Sequence, residues 1–134
     1  MTELLFTLVD DRGRPYTINQ LAKDGRWKWR AHTATTRQFW WAIGLNYSVR
    51  SIRRRHIEQV TIEATPLHKN GSSPQDIGAC APHVKAAIDG LVDAGMIPDD
   101  NPKHLTLLTF HPPRICGIDG LELAIYNAQE GTTP

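Results

Sequence analysis

The length and composition of this 134-residue chain favour one compact domain and argue against a disordered or membrane-spanning protein. Hydrophobic residues make up 40% of the sequence and charged residues 22%, close to the averages of globular domains. No apolar run approaches the roughly 20 residues that cross a bilayer, and two cysteines without a CxxC pair indicate a reducing compartment, so we expect a cytoplasmic protein without membrane contact.

The first half of the chain predicts two strands and one helix. Residues 4–9 are apolar and β-prone and end at a turn signal over residues 10–15, so they predict a strand. Residues 16–30 give no clear pattern. A helix is predicted from Thr36 onwards, with Thr35 or Thr36 as its N-cap, and a strand is predicted over residues 56–65. The apolar positions of that helix have a helical spacing: Phe39, Trp40, Ile43 and Tyr47.

The second half predicts a loop over residues 66–75, a helix over residues 79–93, and two strands over residues 104–110 and 121–126. Pro82 suits the first turn of the helix and Gly95 a position just past its end. Because strands and helices mix without a regular βαβ alternation, we predict an α+β fold: a single compact domain over residues 1–134, with a small mixed sheet and two main helices. Residues 128–134 are expected to be a frayed tail. The apolar stripe of the predicted helix is Val84, Ala87, Ile88 and Leu91.

The net charge of +1 conceals an uneven distribution of charge. Residues 12–55 are strongly basic, with Asp24 as the one acid, whereas residues 76–100 contain five aspartates and one lysine. This distribution fits a protein whose first half binds a polyanion and whose second half holds metal ions that contact it. It fits equally well an ordinary domain whose two halves attract each other.

Acidic residues bracket the predicted helix at residues 79–93. Asp76 precedes it, Lys85 and Asp89 lie on one of its faces, and the pair Asp99–Asp100 follows it. Clustered carboxylates suit Mg²⁺, which takes one or two of them together with waters and substrate phosphate, and a lysine adds positive charge where a transition state gathers negative charge. The pattern is therefore typical of a phosphodiester-cleaving site, although aspartates beside a helix are more often caps and solvated turns.

Residues 74–110 resemble the RusA-type Holliday junction resolvases, small endonucleases encoded by phages and prophages. That family combines an Asp-x-Asp-Asn start, a lysine-bearing helix that continues to Asp-Ala-Leu or Asp-Gly-Leu, and an Asp-Asp pair before a strand. This chain has Lys85, Asp89-Gly90-Leu91 and Asp99-Asp100 in that order. The amino-acid sequence of residues 81–95 is similar to the version of the motif found in actinobacteria and their phages. Asn19, after Tyr16-Thr17-Ile18, resembles an asparagine of the family's amino-terminal segment.

The resemblance implies a Mg²⁺-dependent endodeoxyribonuclease that resolves branched DNA, with Mn²⁺ as a possible substitute. Asp76, Asp99 and Asp100 would hold the metal, and Lys85 would stabilise the phosphate. A homodimer is implied because a four-way junction needs two symmetric cuts, and a phage-encoded enzyme would act in the cytoplasm of its host cell.

One motif departs from the family pattern. Where the family has Asp-x-Asp-Asn, this chain has Asp76-Ile77-Gly78-Ala79, so the second acid and the asparagine are replaced. Two alternatives therefore stay open. The protein could be a catalytically impaired branched-DNA-binding protein on the same fold, or a phage protein that binds a host protein through an apolar aromatic surface.

The length of the predicted helix sets a geometric condition on this site. At about 1.5 Å per residue the helix is roughly 20 Å long, which separates Asp76 from Asp99–Asp100 unless the following loop doubles back sharply. Otherwise the helix starts late near Pro82, or an antiparallel dimer sets Asp76 of one protomer near the aspartate pair of the other.

Basic residues in the first half are the expected contacts to DNA phosphates. Trp27 and Trp29 could stack on an unpaired base, but packing in the core is the simpler expectation for both; at least one of Trp40 and Trp41 should be in the core. His83 is expected at the surface. The predicted DNA-binding residues are Asn19, Arg26, Lys28, Arg30, Arg50, Arg53, Arg54 and Lys85.

Overall fold

A five-stranded mixed sheet and three helices make up the computed structural model, which describes residues 3–47, 52, 56–71 and 75–128. The α+β prediction is confirmed, with one domain and two long helices. The elements in chain order are β1 (Glu3–Asp10), α1 (Ile18–Asp24), α2 (Arg26–Asn46), β2 (Val60–His68), α3 (Ala81–Asp93), β3 (Leu105–Phe110), β4 (Arg114–Ile115) and β5 (Gly120–Asn127).

The sheet has the strand order β1-β5-β2-β3, and β4 pairs with the end of β2. Strand β5 is antiparallel to both β1 and β2, whereas β3 and β4 run parallel to β2. Parallel neighbours cannot be joined by a tight turn. The chain between β2 and β3 therefore crosses over through α3, which places the acidic segment of the sequence on that crossover.

The core lies between one face of the sheet and the helices α2 and α3. Alternate residues of the central strands are buried, as Ile62 of β2 and Leu123 and Ile125 of β5 show, and they pack in one cluster with Trp40 of α2 and Leu91 of α3. This period of two is what a sheet with one covered face produces.

Helices α2 and α3 approach each other closely because glycines lie at their contact. A Cβ atom on Gly90 would overlap the carbonyl oxygen of Arg37 and lie 2.8 Å from the amide nitrogen of Trp41. A Cβ atom on Gly44 would lie 2.7 Å from the Cβ of Ala94. The absence of these side chains allows the two backbones to pack directly against each other.

Helix α2 is longer than the sequence predicts. It begins at Arg26 instead of near Thr36, and Thr36 is a buried residue within it rather than its N-cap. The segment without a clear pattern, residues 16–30, forms α1 and the first turns of α2. The start was missed because the first turns of α2 are exposed, so no apolar periodicity marks them.

The remaining boundaries agree with the predictions within a few residues. Strand β2 begins later than predicted and continues to His68, through residues predicted as a loop. The amide of Ala128 donates to the carbonyl of Gln59 at 2.9 Å, so that residue is held, and the rest of the predicted frayed tail lies outside the described residues. Among the helices of the described residues, none is both long and apolar enough to cross a membrane.

Candidate functional site

The helix α3 separates an apolar face from a charged one. Val84, Ala87 and Leu91 point into the core, while Lys85 and Asp89 lie on the outer surface. Pro82 lies in the first turn, as predicted, where its missing N–H leaves no intrahelical bond unmade.

The chain reverses sharply directly after α3. Gly95 has a φ of 78°, a left-handed conformation that favours glycine. Its amide donates to the carbonyl of Val92 at 2.9 Å, and the amide of Met96 donates to the carbonyl of Leu91 at 3.0 Å. These two bonds are a Schellman motif, and Met96 and Leu91 are both buried, as the motif favours. The predicted stop at Gly95 is confirmed.

The reversal brings Asp100 back to the middle of α3. The Lys85 ammonium lies 2.7 Å from Oδ1 of Asp89 and also forms an ion pair with Asp100. Asp99 is oriented beside them, because its carboxylate accepts from the amide of Asp100 at 2.7 Å and from Nδ2 of Asn101 at 3.1 Å. We call Lys85, Asp89, Asp99 and Asp100 the acidic cluster. The loop thus doubles back onto the middle of α3.

A second ion pair borders the acidic cluster and links the two long helices. The guanidinium of Arg37 on α2 donates to both carboxylate oxygens of Asp93 on α3, at 2.5 and 2.8 Å. The hydrogen bonds to Asp93 raise the pKa of Arg37, and the charges of Asp89 and Asp100 raise it further. Arg37 therefore lies within electrostatic reach of the acidic cluster. No sequence pattern marks this partner, since it lies on a different helix.

Ion pairing fixes the protonation of Lys85 and Asp100. Burial opposes the charge on Lys85, but its hydrogen bonds to Asp100 and Asp89 raise its pKa. The hydrogen bond from Lys85 lowers the pKa of Asp100. At neutral pH Lys85 is therefore a fixed positive charge and Asp100 a carboxylate, so Lys85 can stabilise an anion but cannot act as a general base.

Asp76 lies in a different environment from the acidic cluster. It begins an exposed turn in which its carbonyl accepts the amide of Ala79 at 3.0 Å, and the carbonyl of Ala79 accepts the amide of Ile18 in α1 at 3.0 Å. No contact recorded among the described residues joins the Asp76 carboxylate to Asp99 or Asp100. Across the same part of the chain, no group of three or more His, Cys, Asp or Glu side chains has an arrangement that could hold a metal ion.

The turn at Gly78 has a backbone conformation that favours glycine. Gly78 has a φ of 81°, and a Cβ atom there would meet nothing within 4 Å. An aspartate at this position would therefore have room but would adopt a backbone conformation that L residues rarely take, although Asp and Asn tolerate it better than most.

The predicted DNA-binding residues fall in three places. Arg26, Lys28 and Arg30 are exposed on the first turns of α2, and Asn19 is exposed on the first turn of α1. Lys85 lies in the acidic cluster. Arg50, Arg53 and Arg54 lie outside the described residues.

The expectation that at least one of Trp40 and Trp41 lies in the core is confirmed, since Trp40 is fully buried. The expectation that Trp27 and Trp29 pack in the core is wrong, since they are 81% and 38% exposed. Trp41 is 41% exposed.

His83 is buried instead of lying at the surface. Its Nδ1 accepts the backbone amide of Tyr16 at 3.3 Å, and its ring packs on that of Tyr16 with centroids 4.3 Å apart. Burial lowers the pKa of His83 to about 4. A neutral ring with an accepting Nδ1 carries its proton on Nε2, and no described residue accepts from that buried atom. His83 is therefore part of the packing between α3 and the segment before α1.

Comparison with known proteins adds no relative. Neither a protein-family model, nor a curated protein, nor a solved structure matches this chain.

Proposed function

We propose that this protein is a Mg²⁺-dependent endodeoxyribonuclease that cuts branched DNA, such as a four-way junction, in the cytoplasm of its host cell. The observation that carries the proposal is the acidic cluster, where a sharp chain reversal brings Asp100 to a lysine and a second carboxylate on an exposed helix face. The order of these residues is also that of the resolvase motif.

The chemistry of the acidic cluster suits a hard cation. Asp89 and Asp100 share one ammonium group and are both partly exposed, and Mg²⁺ needs only one or two carboxylates when waters and a substrate phosphate complete its shell. Asp89 and Asp100 would hold the ion, together with waters. When bound, it would activate a water and stabilise charge on the departing 3′ oxygen. Mn²⁺ has similar ligand preferences and is the expected substitute.

The residues of the chain supply charge and position in this scheme. Lys85, fixed in its protonated form, would attract the scissile phosphate and offset the charge that builds up on it. The Arg37–Asp93 pair would hold α2 against α3 and so fix the position of the acidic cluster. The exposed residues Asn19, Arg26, Lys28 and Arg30, with Arg50, Arg53 and Arg54, would bind the DNA arms through contacts that weaken with salt.

The proposal includes a homodimer, since two symmetric cuts need two sites. An antiparallel arrangement would also give Asp76 a role, because Asp76 of one protomer could complement the acidic cluster of the other. Sedimentation analysis of the free protein and of its junction complex tests this part independently of cleavage.

A second function, branched-DNA binding without cleavage, is favoured by two observations. Gly78 stands where the family has an acid, and the ammonium of Lys85 already neutralises the two carboxylates that would bind a cation. The third alternative, binding of a host protein, would use exposed aromatic surface and would show no salt-dependent affinity for DNA.

Cleavage of a synthetic four-way junction tests the nuclease proposal. With Mg²⁺ the protein should nick opposing strands symmetrically, and Asp100→Asn should abolish the nicks while leaving junction binding intact. Asp119→Asn is the control, because Asp119 pairs with Arg14 instead of Lys85 and has no role in the proposed site; it should retain cleavage.

The outcomes separate the three functions. Binding without nicks in Mg²⁺ or Mn²⁺ overturns the nuclease and selects the binding protein, and Gly78→Asp then tests whether the lost acid is the cause. If neither junction nor duplex DNA binds at low salt, both DNA proposals fail and host-protein binding remains.

A further inference from the structure

The first turns of α2 form an exposed surface with an unusual composition. Trp27 has the largest exposed fraction of any large hydrophobic side chain among the described residues. Arg26 and Lys28 are its neighbours in the sequence, Arg30 lies one turn further along α2, and all three are also exposed. We call these four residues the tryptophan platform.

The charge of the tryptophan platform is unbalanced. Within the described part of the chain, none of its three cations forms an ion pair, and the neighbouring acid, Asp24, lies 3.7 Å from His32 instead. The guanidinium of Arg30 lies 5.9 Å from the centroid of the Trp27 ring, which is within the range of a cation–π contact. The indole is therefore presented among positive charges that are free to meet an anion.

This composition favours nucleic acid over a protein partner. Tryptophan and arginine also occur often in protein–protein interfaces, but lysine is depleted there, and three exposed cations around one indole complement a polyanion better. An aromatic face among cations matches a nucleotide, since a base stacks on any indole and its phosphates meet arginine or lysine.

We propose that the tryptophan platform binds an unpaired DNA nucleotide, with its base stacked on Trp27 and its flanking phosphates on Arg26, Lys28 and Arg30. This inference deepens the proposed function by naming the feature of branched DNA that is recognised, and it rests on DNA being the ligand but not on cleavage. Trp27 lies about 15 Å along the α2 axis from Arg37, which borders the acidic cluster, at about 1.5 Å per residue. One strand can span both places over a few nucleotides.

Fluorescence anisotropy with labelled DNA tests the tryptophan platform. The two probes are a single-stranded oligothymidine and a blunt duplex of the same length. Trp27→Ala should weaken binding of the single strand about tenfold, as the loss of one stacked base does, and should leave binding of the duplex within a factor of about two. Trp27→Phe should restore most of the affinity because it keeps an aromatic face.

Trp41→Ala is the matched control. Trp41 is a partly exposed tryptophan on the same helix, but it lies beside α3. The control should bind both probes like the unmodified protein, and circular dichroism should show that both alanine variants fold.

Two results would overturn the inference: single-strand affinity that Trp27→Ala does not change, or an equal loss of affinity for both probes. These results are distinct from failure of the nuclease. If the junction is never nicked but Trp27→Ala still weakens single-strand binding selectively, the tryptophan platform stands and only the cleavage proposal fails.

Discussion

Burial of His83 should make the protein less stable in mild acid. Burial lowers the pKa of this histidine from the ordinary 6.5 to about 4, so below pH 6.5 the unfolded chain binds a proton that the folded chain excludes. Stability from this group is therefore complete above pH 6.5 and is lost as the pH falls towards 4. With these two pKa values, the free energy of unfolding should be about 2 kcal/mol lower at pH 5 than at pH 7.

The assay is urea unfolding at both pH values, followed by tryptophan fluorescence, to which the buried Trp40 contributes. His83→Asn is the test variant, because its Oδ1 can accept the amide of Tyr16 where Nδ1 does now, and it cannot be protonated. The variant should lose most of the difference between pH 7 and pH 5. A smaller dependence should remain from His68, whose pKa is also lowered by burial. An equal decline in His83→Asn and in the unmodified protein would refute the assignment.

Two further predictions concern the contact of α2 with α3 and the acidic cluster. Gly90→Ala should lower the free energy of unfolding by about 1–3 kcal/mol or more, since the added Cβ would overlap the Arg37 carbonyl. Gly71→Ala is the control and should change this free energy little, because a Cβ there would lie 3.4 Å from Ile115. Equal unfolding curves for the two variants would contradict the close contact. Lys85→Met should raise the pKa of Asp100 towards its ordinary 3.8, as measured by NMR titration of the carboxyl carbon. Above that pH the variant should lower the free energy of unfolding by less than about 1 kcal/mol, because the ion pair is exposed. An unchanged Asp100 titration would show that the ion pair does not form.

Sequence patterns predicted the elements that bury a regular stripe. Helix α3 was predictable because its apolar residues have the helical period, and Gly95 marked its end. Those apolar residues are Val84, Ala87, Ile88 and Leu91. The end of β2 was not predicted, because Pro66 is typical of a loop. Proline is accommodated there because β3 pairs with β2 only up to Ala64 and β4 only from Leu67, so no parallel partner needs a donor from Pro66.

The candidate site was predictable only where its contacts are local. Lys85 and Asp89 are one helical turn apart, so their pairing follows from the sequence. The approach of Asp100 depends on how the loop folds after Gly95, and the pair Arg37–Asp93 depends on the packing of two helices. The tryptophans show the same limit, because nothing in their local sequence distinguishes exposed Trp27 from buried Trp40.

The glycine contact between the two long helices has a consequence for where a strand would be cut. Because Gly44 and Gly90 let α2 lie directly on α3, Trp27 and the acidic cluster belong to one rigid unit joined by continuous helix instead of by a hinge. The distance between Trp27 and the acidic cluster is therefore constant. Under the two proposals made above, a nick would fall at a constant offset from the unpaired nucleotide, whatever the base sequence between them.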